Sequence, residues 1–336
     1  MIPDTRKDPK KLIPAPAGYV RFVLKRFGTT DELRAGLVAR TDIDEDRLNR
    51  PGAEVTLFTF VTLSENLTRH VGEAWPLDCL PAWGTAMQGA LEAAVRSAPT
   101  VGEGLDVIAR FGHVRAPFLR IAPKRDAVAL RLVCEGAVQI EPATWRSLSL
   151  AAMLGVTAML APLLEERMAE VEVRYPWPQP GYVSRIRDAF ATDVRFSQAE
   201  FCLSVPVMLC GEISPFADPG LHAVALAELE SAARRIHASN QLLLKLQSLM
   251  ARQRRTRISE EDAARELGVS RRTLVRRLSA SGTSFRQMLD GELKARARAM
   301  LDEGSLSRTQ MADALGFEDP TSFSRACRRW FGDDHG

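Results

Sequence analysis

Residues Ile258 to Leu278 read Ile-Ser-Glu-Glu-Asp-Ala-Ala-Arg-Glu-Leu-Gly-Val-Ser-Arg-Arg-Thr-Leu-Val-Arg-Arg-Leu. Ser259 is placed to cap a helix whose third residue is Asp262, a variant of the capping box. Ala264, Leu267 and Gly268 then fall at i, i+3 and i+4. The small alanine lets a second helix cross closely, the leucine fills the space between them, and the glycine supplies a sharp turn. Ser270 can occupy the free N–H groups at the start of the next helix. There Leu274 and Leu278 lie four residues apart and face a core, which leaves Arg271, Arg272, Val275 and Arg276 outward. This spacing predicts a helix-turn-helix, the motif that lays its second helix in a major groove of DNA.

The pattern recurs downstream. Ser307-Arg-Thr-Gln310 is a capping box, and Ala312, Leu315 and Gly316 repeat the small–Leu–Gly spacing at an offset of 48 residues. Asp319 can cap a second helix with Pro320 at its first position, where a missing N–H does no harm. Phe323 then faces inward, and Thr321, Ser324 and Arg325 face outward. Between the two motifs, Thr283 or Ser284 begins a helix reaching about Glu303. About 20 residues at 1.5 Å each give roughly 30 Å, close to the roughly 34–36 Å between successive major-groove faces on one side of B-DNA.

Charge follows the same division. Residues 252–332 hold 17 Arg or Lys against 11 Asp or Glu, whereas residues 1–251 hold 28 against 29. The basic surplus therefore belongs to the double motif. Sixteen of its 17 cations are arginine, whose planar fork fits guanine edges and phosphates.

Residues 1–19 read as a mobile tail and 20–235 as one mixed domain. Helical periodicity appears at Thr30–Val38, Phe58–His70, Thr85–Ser97 and Val101–Arg115. Pro117–Ile121 and Ala127–Cys134 read as a hairpin turning at Pro123–Asp126, and a long apolar helix spans about Pro142 to Glu166. A strand at Glu170–Arg174, a short helix near Tyr182–Phe190 and a strand at Phe201–Val205 complete an α+β domain. The expected fold is thus an α+β N-terminal domain followed by an all-α domain, residues 236–332, with two helix-turn-helix units joined by a long helix. Residues 333–336 read as a tail. Leu221–Met250 is rich in helix formers, with a candidate break at His237–Asn240; its first half is a candidate connector between the domains or a candidate dimer contact.

The C-terminal stretch resembles the DNA-binding domain of the arabinose-operon regulator (AraC/XylS-type) family of bacterial transcription factors. The matching residues are Ala264-Arg-Glu-Leu-Gly-Val-Ser-Arg-Arg-Thr-Leu-Val-Arg-Arg-Leu278, Gly282-Thr-Ser-Phe285, Met311-Ala-Asp-Ala-Leu-Gly-Phe317 and Phe323-Ser-Arg325. Residues 25–230 are more loosely similar to the family's ligand-sensing region, through Phe190-Ala-Thr-Asp-Val-Arg-Phe196 and the loop holding Pro215 and Asp218-Pro219. The resemblance implies base contacts by Arg272, Val275 and Arg276 from the first recognition helix, and by Thr321 and Arg325 from the second. Arg271, Arg308 and Arg328 are expected on phosphates, which position the protein without reading sequence. The chain departs from the family in two places. Cys327 stands where phenylalanine is usual, which predicts a thinner second core, and the end Gly332-Asp-Asp-His-Gly336 replaces a Ser-Pro and Tyr-Arg continuation. The acidic end is expected to weaken phosphate contacts or the seating of the last helix.

The implied function is transcription regulation in response to a small organic effector, with double-stranded DNA as partner, a homodimer as candidate assembly and RNA polymerase as a partner if the protein activates. Trp83, Phe111, Arg120, Trp145 and Tyr182 are candidate pocket residues, since aromatics and an isolated arginine can clasp an organic acid or amide. Two other readings of the first domain stand beside this one: an oligomerisation or protein-interaction platform, and a DNA repair or modification enzyme using a reactive cysteine. The histidines show no metal-ligand spacing. Val101-Gly-Glu-Gly-Leu105 lacks the lysine of a phosphate loop and the full dinucleotide fingerprint, so no cofactor is expected. The five cysteines form no C-x-x-C pair and no apolar run reaches the roughly 18 residues of a membrane span, which places the expected site of action in the cytoplasm.

Overall fold

Oxygen-bearing side chains start several helices of the N-terminal half. In the computed structural model, which describes residues 10, 13–50, 53–83, 87–252, 258–280, 283–303, 306–317 and 319–332, the chain divides into two units, Ala15–Ile236 and the stretch from His237 onward. The first unit contains β1 (Pro14–Pro16), α1 (Ala17–Phe27), α2 (Asp31–Val38), α3 (Glu45–Leu48), β2 (Glu54–Thr56), α4 (Leu57–Val71), α5 (Leu80–Trp83), α6 (Ala90–Arg96), α7 (Val101–Arg115), β3 (Leu119–Arg125), β4 (Ala129–Gly136), α8 (Pro142–Leu164), β5 (Glu172–Arg174), α9 (Val183–Ala189), β6 (Asp193–Arg195), β7 (Cys202–Pro206) and α10 (Val207–Cys210). Thr30, Thr56 and Thr100 accept the N–H of the third residue of α2, α4 and α7, at 3.1–3.2 Å. Glu141 accepts from Ala143 and Thr144 at the start of α8. These bonds satisfy donors that a helix start leaves open.

Five strands form one sheet in the order β3-β4-β7-β5-β6, antiparallel except for the β5–β6 pair. The register pairs Leu119 with Gly136 and Arg125 with Leu130 along the β3–β4 hairpin. β1 and β2 form a separate pair. At the centre lies α8, apolar on every side and buried at Leu148, Met153, Leu160 and Leu164 among others. A helix apolar all round belongs inside a core or a membrane. The helix within Pro142–Glu170 is long and apolar enough to cross a membrane, with a mean hydropathy of 1.9 over an 18-residue window, but 72% of that window is buried within the protein. Ser147, Ser149 and Thr157 interrupt the apolar run, as the sequence reading has it, and the helix is a buried element of the core.

Four further details differ from the sequence expectation. Residues 14–19 are not tail, since Pro14–Pro16 pairs with β2 and α1 buries Tyr19, Val20, Val23 and Leu24; residues 1–9 lie outside the described set. The helix expected over Thr85–Ser97 starts at Ala90, after Gly89 at φ +54°, and Thr85 is among the undescribed residues. The hairpin turns at Asp126, not at Pro123, because the Asp126 carboxylate accepts from the N–H of Val128 (2.8 Å) and Ala129 (2.9 Å) and pairs with Arg131. Pro123 sits inside β3, an edge strand, where a missing N–H is tolerated. A strand the sequence did not signal, β6, pairs with β5.

The second unit receives the end of α11 (Pro219–Arg252), a helix assigned without a break at His237–Asn240, and continues with α12 (Glu260–Glu266), α13 (Arg271–Ala280), α14 (Phe285–Glu303), α15 (Arg308–Ala314) and α16 (Pro320–Phe331). It has two apolar cores. Leu243 and Leu246 of α11, Ala263 and Ala264 of α12, and Leu274 and Leu278 of α13 build the first. Leu293 and Ala297 of α14, Met311, Ala312 and Leu315, and Phe323, Cys327 and Trp330 of α16 build the second. Gly282 and residues 333–336 lie outside the described residues.

Candidate nucleic-acid interface and ligand cavity

Each pair of short helices in the second unit is fixed by the same local chemistry. The Ser259 hydroxyl accepts from the Asp262 N–H (3.0 Å) and donates to its carboxylate (2.6 Å). Ser307 and Gln310 complete a full capping box. Gly268 and Gly316 both adopt positive φ, 67° and 68°. The next residue then folds back, Val269 N–H to the Ala264 carbonyl (3.0 Å) and Phe317 N–H to the Ala312 carbonyl (2.9 Å). This closure terminates the first helix of each pair and aims the chain into the second. An alanine at either glycine would be held in left-handed backbone, a conformation that costs about 1–2 kcal/mol for an L-residue. Gly268→Ala is therefore expected to lower the stability of the C-terminal unit by about that much, read as a shifted urea midpoint with unchanged slope. An unshifted midpoint would count against the turn's role.

The second helices start on Ser270, which accepts from the Thr273 N–H (3.1 Å), and Asp319, which accepts from the Ser322 N–H (2.8 Å). The Ser322 hydroxyl, which donates to the Asp319 carboxylate (2.7 Å), together with that N–H and with Arg325 nearby, holds the Asp319 carboxyl below its ordinary value. From cap to core the two helices then match residue for residue at an offset of 49. Leu274 and Leu278 correspond to Phe323 and Cys327, all buried. Arg272, Val275 and Arg276 correspond to Thr321, Ser324 and Arg325. Arg272, Val275 and Arg276 are exposed on one stripe, as are Thr321, Arg325 and Arg328. The offset grows by one between the first and second helices because the second turn carries one more residue.

The arginines divide by what holds them. Arg271 pairs with Glu260 at 2.6 Å across the first turn, and Arg265 with Asp262 at 2.9 Å. Among the described residues no hydrogen bond or ion pair engages Arg272 or Arg276. Their five-donor forks face outward from a rigid helix, ready for paired acceptors such as guanine O6 and N7. An exposed Val275 between them offers an apolar contact for a thymine methyl. The last helix is seated despite the shortened side chain at Cys327. The Trp330 indole N–H donates to Asp290 of α14 (2.8 Å), Arg329 pairs with the same carboxylate (2.6 Å), and Lys294 and Arg298 lie over the Phe331 ring.

The N-terminal unit holds an open cavity with about 740 Å³ of empty space, solvent at its mouth included. Its walls come from α1, α4, α5, α6, α7, β3 and α8, and include Tyr19, Phe60, Trp83, Met87, Gln88, Ile108, Arg115, Phe118, Leu148, Val156 and Met159. Of the five pocket residues expected from sequence, Trp83 lines it. Phe111 is buried nearby in α7 with the Arg110 guanidinium over its ring. Arg120 is exposed on β3 opposite Glu135. Trp145 meets Phe118 and Phe201 edge-on. Tyr182 donates to Glu73 (3.4 Å), which also binds Arg146. Burial and the Glu73 charge push the Tyr182 hydroxyl up to about 12. The arginine that lines the cavity is Arg115, which sequence reading passed over. Its signal was its position: Ile108 and Arg115, seven residues apart, share the buried stripe of α7.

The cysteines Cys79, Cys134, Cys202 and Cys210 are all buried, and burial raises each thiol, Cys79 and Cys134 to about 12. Such thiols pack as small apolar groups and make poor nucleophiles.

Comparison with known proteins agrees with both halves. Residues 34–209 match the family model described as the arabinose-binding domain of AraC transcription regulator, and residues 263–334 match a helix-turn-helix domain. The chain is 24% identical to the ornithine utilization regulator of Pseudomonas aeruginosa over 325 residues, 94% of each chain. It is 28% identical to the HTH-type transcriptional regulator VirS of Mycobacterium tuberculosis over 292 residues, 84% of this chain and 85% of that one. Among solved structures, the transcriptional regulator CdpR from Pseudomonas aeruginosa covers 95% of this chain and 94% of its own at 22% identity, with a TM-score of 0.40.

Proposed function

Because the chain belongs to the AraC-type family and is a DNA-binding transcription regulator, we propose that α13 and α16 each enter a major groove and that a small organic effector in the N-terminal cavity sets their affinity. Arg272, Val275 and Arg276 read one groove, and Thr321 and Arg325 the next. Arg271, Arg308 and Arg328 hold phosphates on the flanks. The observation that carries this reading is the outward stripe Arg272–Val275–Arg276, whose arginines are unengaged among the described residues, repeated at Thr321–Ser324–Arg325. The 19 residues of α14 span roughly 28 Å at 1.5 Å each, a length suited to adjacent grooves.

Effector control requires that the ligand bind two arrangements of the protein with different affinity. Titrating the purified protein against operator fragments recovered from genomic DNA, with and without a cavity ligand, tests this. Sensing predicts a ligand-dependent shift, and equal affinity with every ligand that fills the cavity would sink it. A homodimer is part of the same proposal, supported by the exposed large apolar side chains Met208, Ile213, Phe216, Leu221 and Val224 around the start of α11. RNA polymerase is a further partner if the protein activates. The protein acts in the cytoplasm, without enzymatic turnover.

Phosphate contacts release counterions, so binding falls with salt. Replacing Arg271, Arg308 or Arg328 by glutamine is expected to lower the log–log salt slope by about 0.9 each, with equal losses on operator and scrambled duplex. A loss confined to the operator would move that residue to base readout.

A further inference from the structure

The cavity's lining says what kind of molecule it takes. Its walls are aromatic and aliphatic nearly throughout, and among the described residues no acidic side chain and no second basic one lines it. The hydroxyl of Tyr19, a lining residue, is already bonded to Ser64 (3.1 Å), and the Trp83 indole N–H to the Pro76 carbonyl (2.9 Å). Two polar side chains remain. Gln88 lies across α8 where Gly155 makes room for it; a Cβ at Gly155 would stand 2.6 Å from its amide nitrogen. Arg115 donates one N–H to the Met87 carbonyl, and among the described residues it has no carboxylate partner.

A pentose carries four or five hydroxyl or ring oxygens, each of which loses water on entering. Buried hydroxyls need partners, and leaving them without any costs more than apolar contact returns. One amide and one guanidinium cannot supply them. An apolar body with a single anionic end fits instead. Arg115 is half-buried with one neutral partner, and burial alone holds its guanidinium below the ordinary arginine value. A carboxylate would give this cation the paired, charge-assisted acceptors that it lacks among the described residues.

We propose that the cavity binds an organic acid with an aliphatic or aromatic body, its carboxylate held by Arg115 and Gln88 and its body against Phe60, Phe118, Leu148 and Met159, and that it does not bind a sugar. This rests on reading the N-terminal unit as the sensing unit.

The test is calorimetric titration of the full chain with octanoate, phenylacetate, octanol and L-arabinose at up to millimolar concentration. Binding of at least one acid is expected, with octanol at least tenfold weaker and no heat from arabinose. Arg115→Gln should weaken the acid at least tenfold and leave octanol unchanged, whereas Arg115→Lys should retain part of the acid's affinity. If Arg115→Gln fails to fold, Val156→Trp, which fills the cavity while keeping the charge, should abolish acid binding. Arabinose binding, octanol as tight as the acids, acid binding undiminished in Arg115→Gln or Val156→Trp, or no binding by either acid would overturn the inference. An acid that binds as described yet leaves operator affinity unchanged would leave the inference standing and sink the sensing reading instead.

Discussion

Arg276→Ala is expected to lower affinity for the operator about fivefold to 150-fold, the range of one bidentate base contact worth about 1–3 kcal/mol. Affinity for scrambled duplex should change far less. The difference follows from where the side chain stands. Arg276 lies one helical turn after Arg272 on the exposed stripe of α13, and no acid among the described residues pairs with it, whereas Arg271 is paired to Glu260. The helix beneath is fixed by the Ser270 cap and by Leu274 and Leu278, 0% and 1% exposed, so the lost energy cannot be recovered by a shift of the backbone. Electrophoretic titration on both duplexes at one salt concentration checks it. Equal losses on the two would place Arg276 on the phosphate backbone.

Phe323→Ala should act through packing and not through contact with DNA. The ring is 1% exposed, lies 5.3 Å from Phe317, and shares a core with Leu315, Cys327 and Trp330. Removing a buried phenylalanine typically destabilises by about 3–5 kcal/mol, and Cys327 beside it is too small to fill the space. The core around Leu246 and Leu274 is a separate cluster, so the damage is expected to stop at α14. Hydrogen exchange should show α15 and α16 losing protection while α12 and α13 keep theirs, and the footprint should shrink to one groove. Loss of protection in both units together would show that the two cores unfold as one.

The C-terminal unit was legible because its signals are short-range. Ser259, Ser270, Ser307 and Asp319 cap the helices where their sequence context predicts, and Gly268 and Gly316 turn where only glycine is at ease. The N-terminal unit depends on contacts between distant residues, and there the sequence misled. Pro14 and Pro16 read as part of a mobile tail, yet their strand pairs with Glu54–Thr56. Pro123 looked like a turn, yet the Asp126 side chain sets the turn and the edge position of β3 admits the proline. Arg120 drew attention as an isolated arginine, but strand alternation points it to solvent. Arg115 sat on a core-facing stripe where an arginine was the anomaly, and that anomaly, not the residue type, was the clue.

Two separately seated reading heads also bear on how such a protein changes over generations. If α13 and α16 read adjacent grooves as proposed, substitutions at Thr321 or Arg325 alter one half of the recognised site while Arg272 and Arg276 keep the molecule anchored on the other. A lineage can thus drift toward new promoters half a site at a time, without passing through a form that recognises nothing.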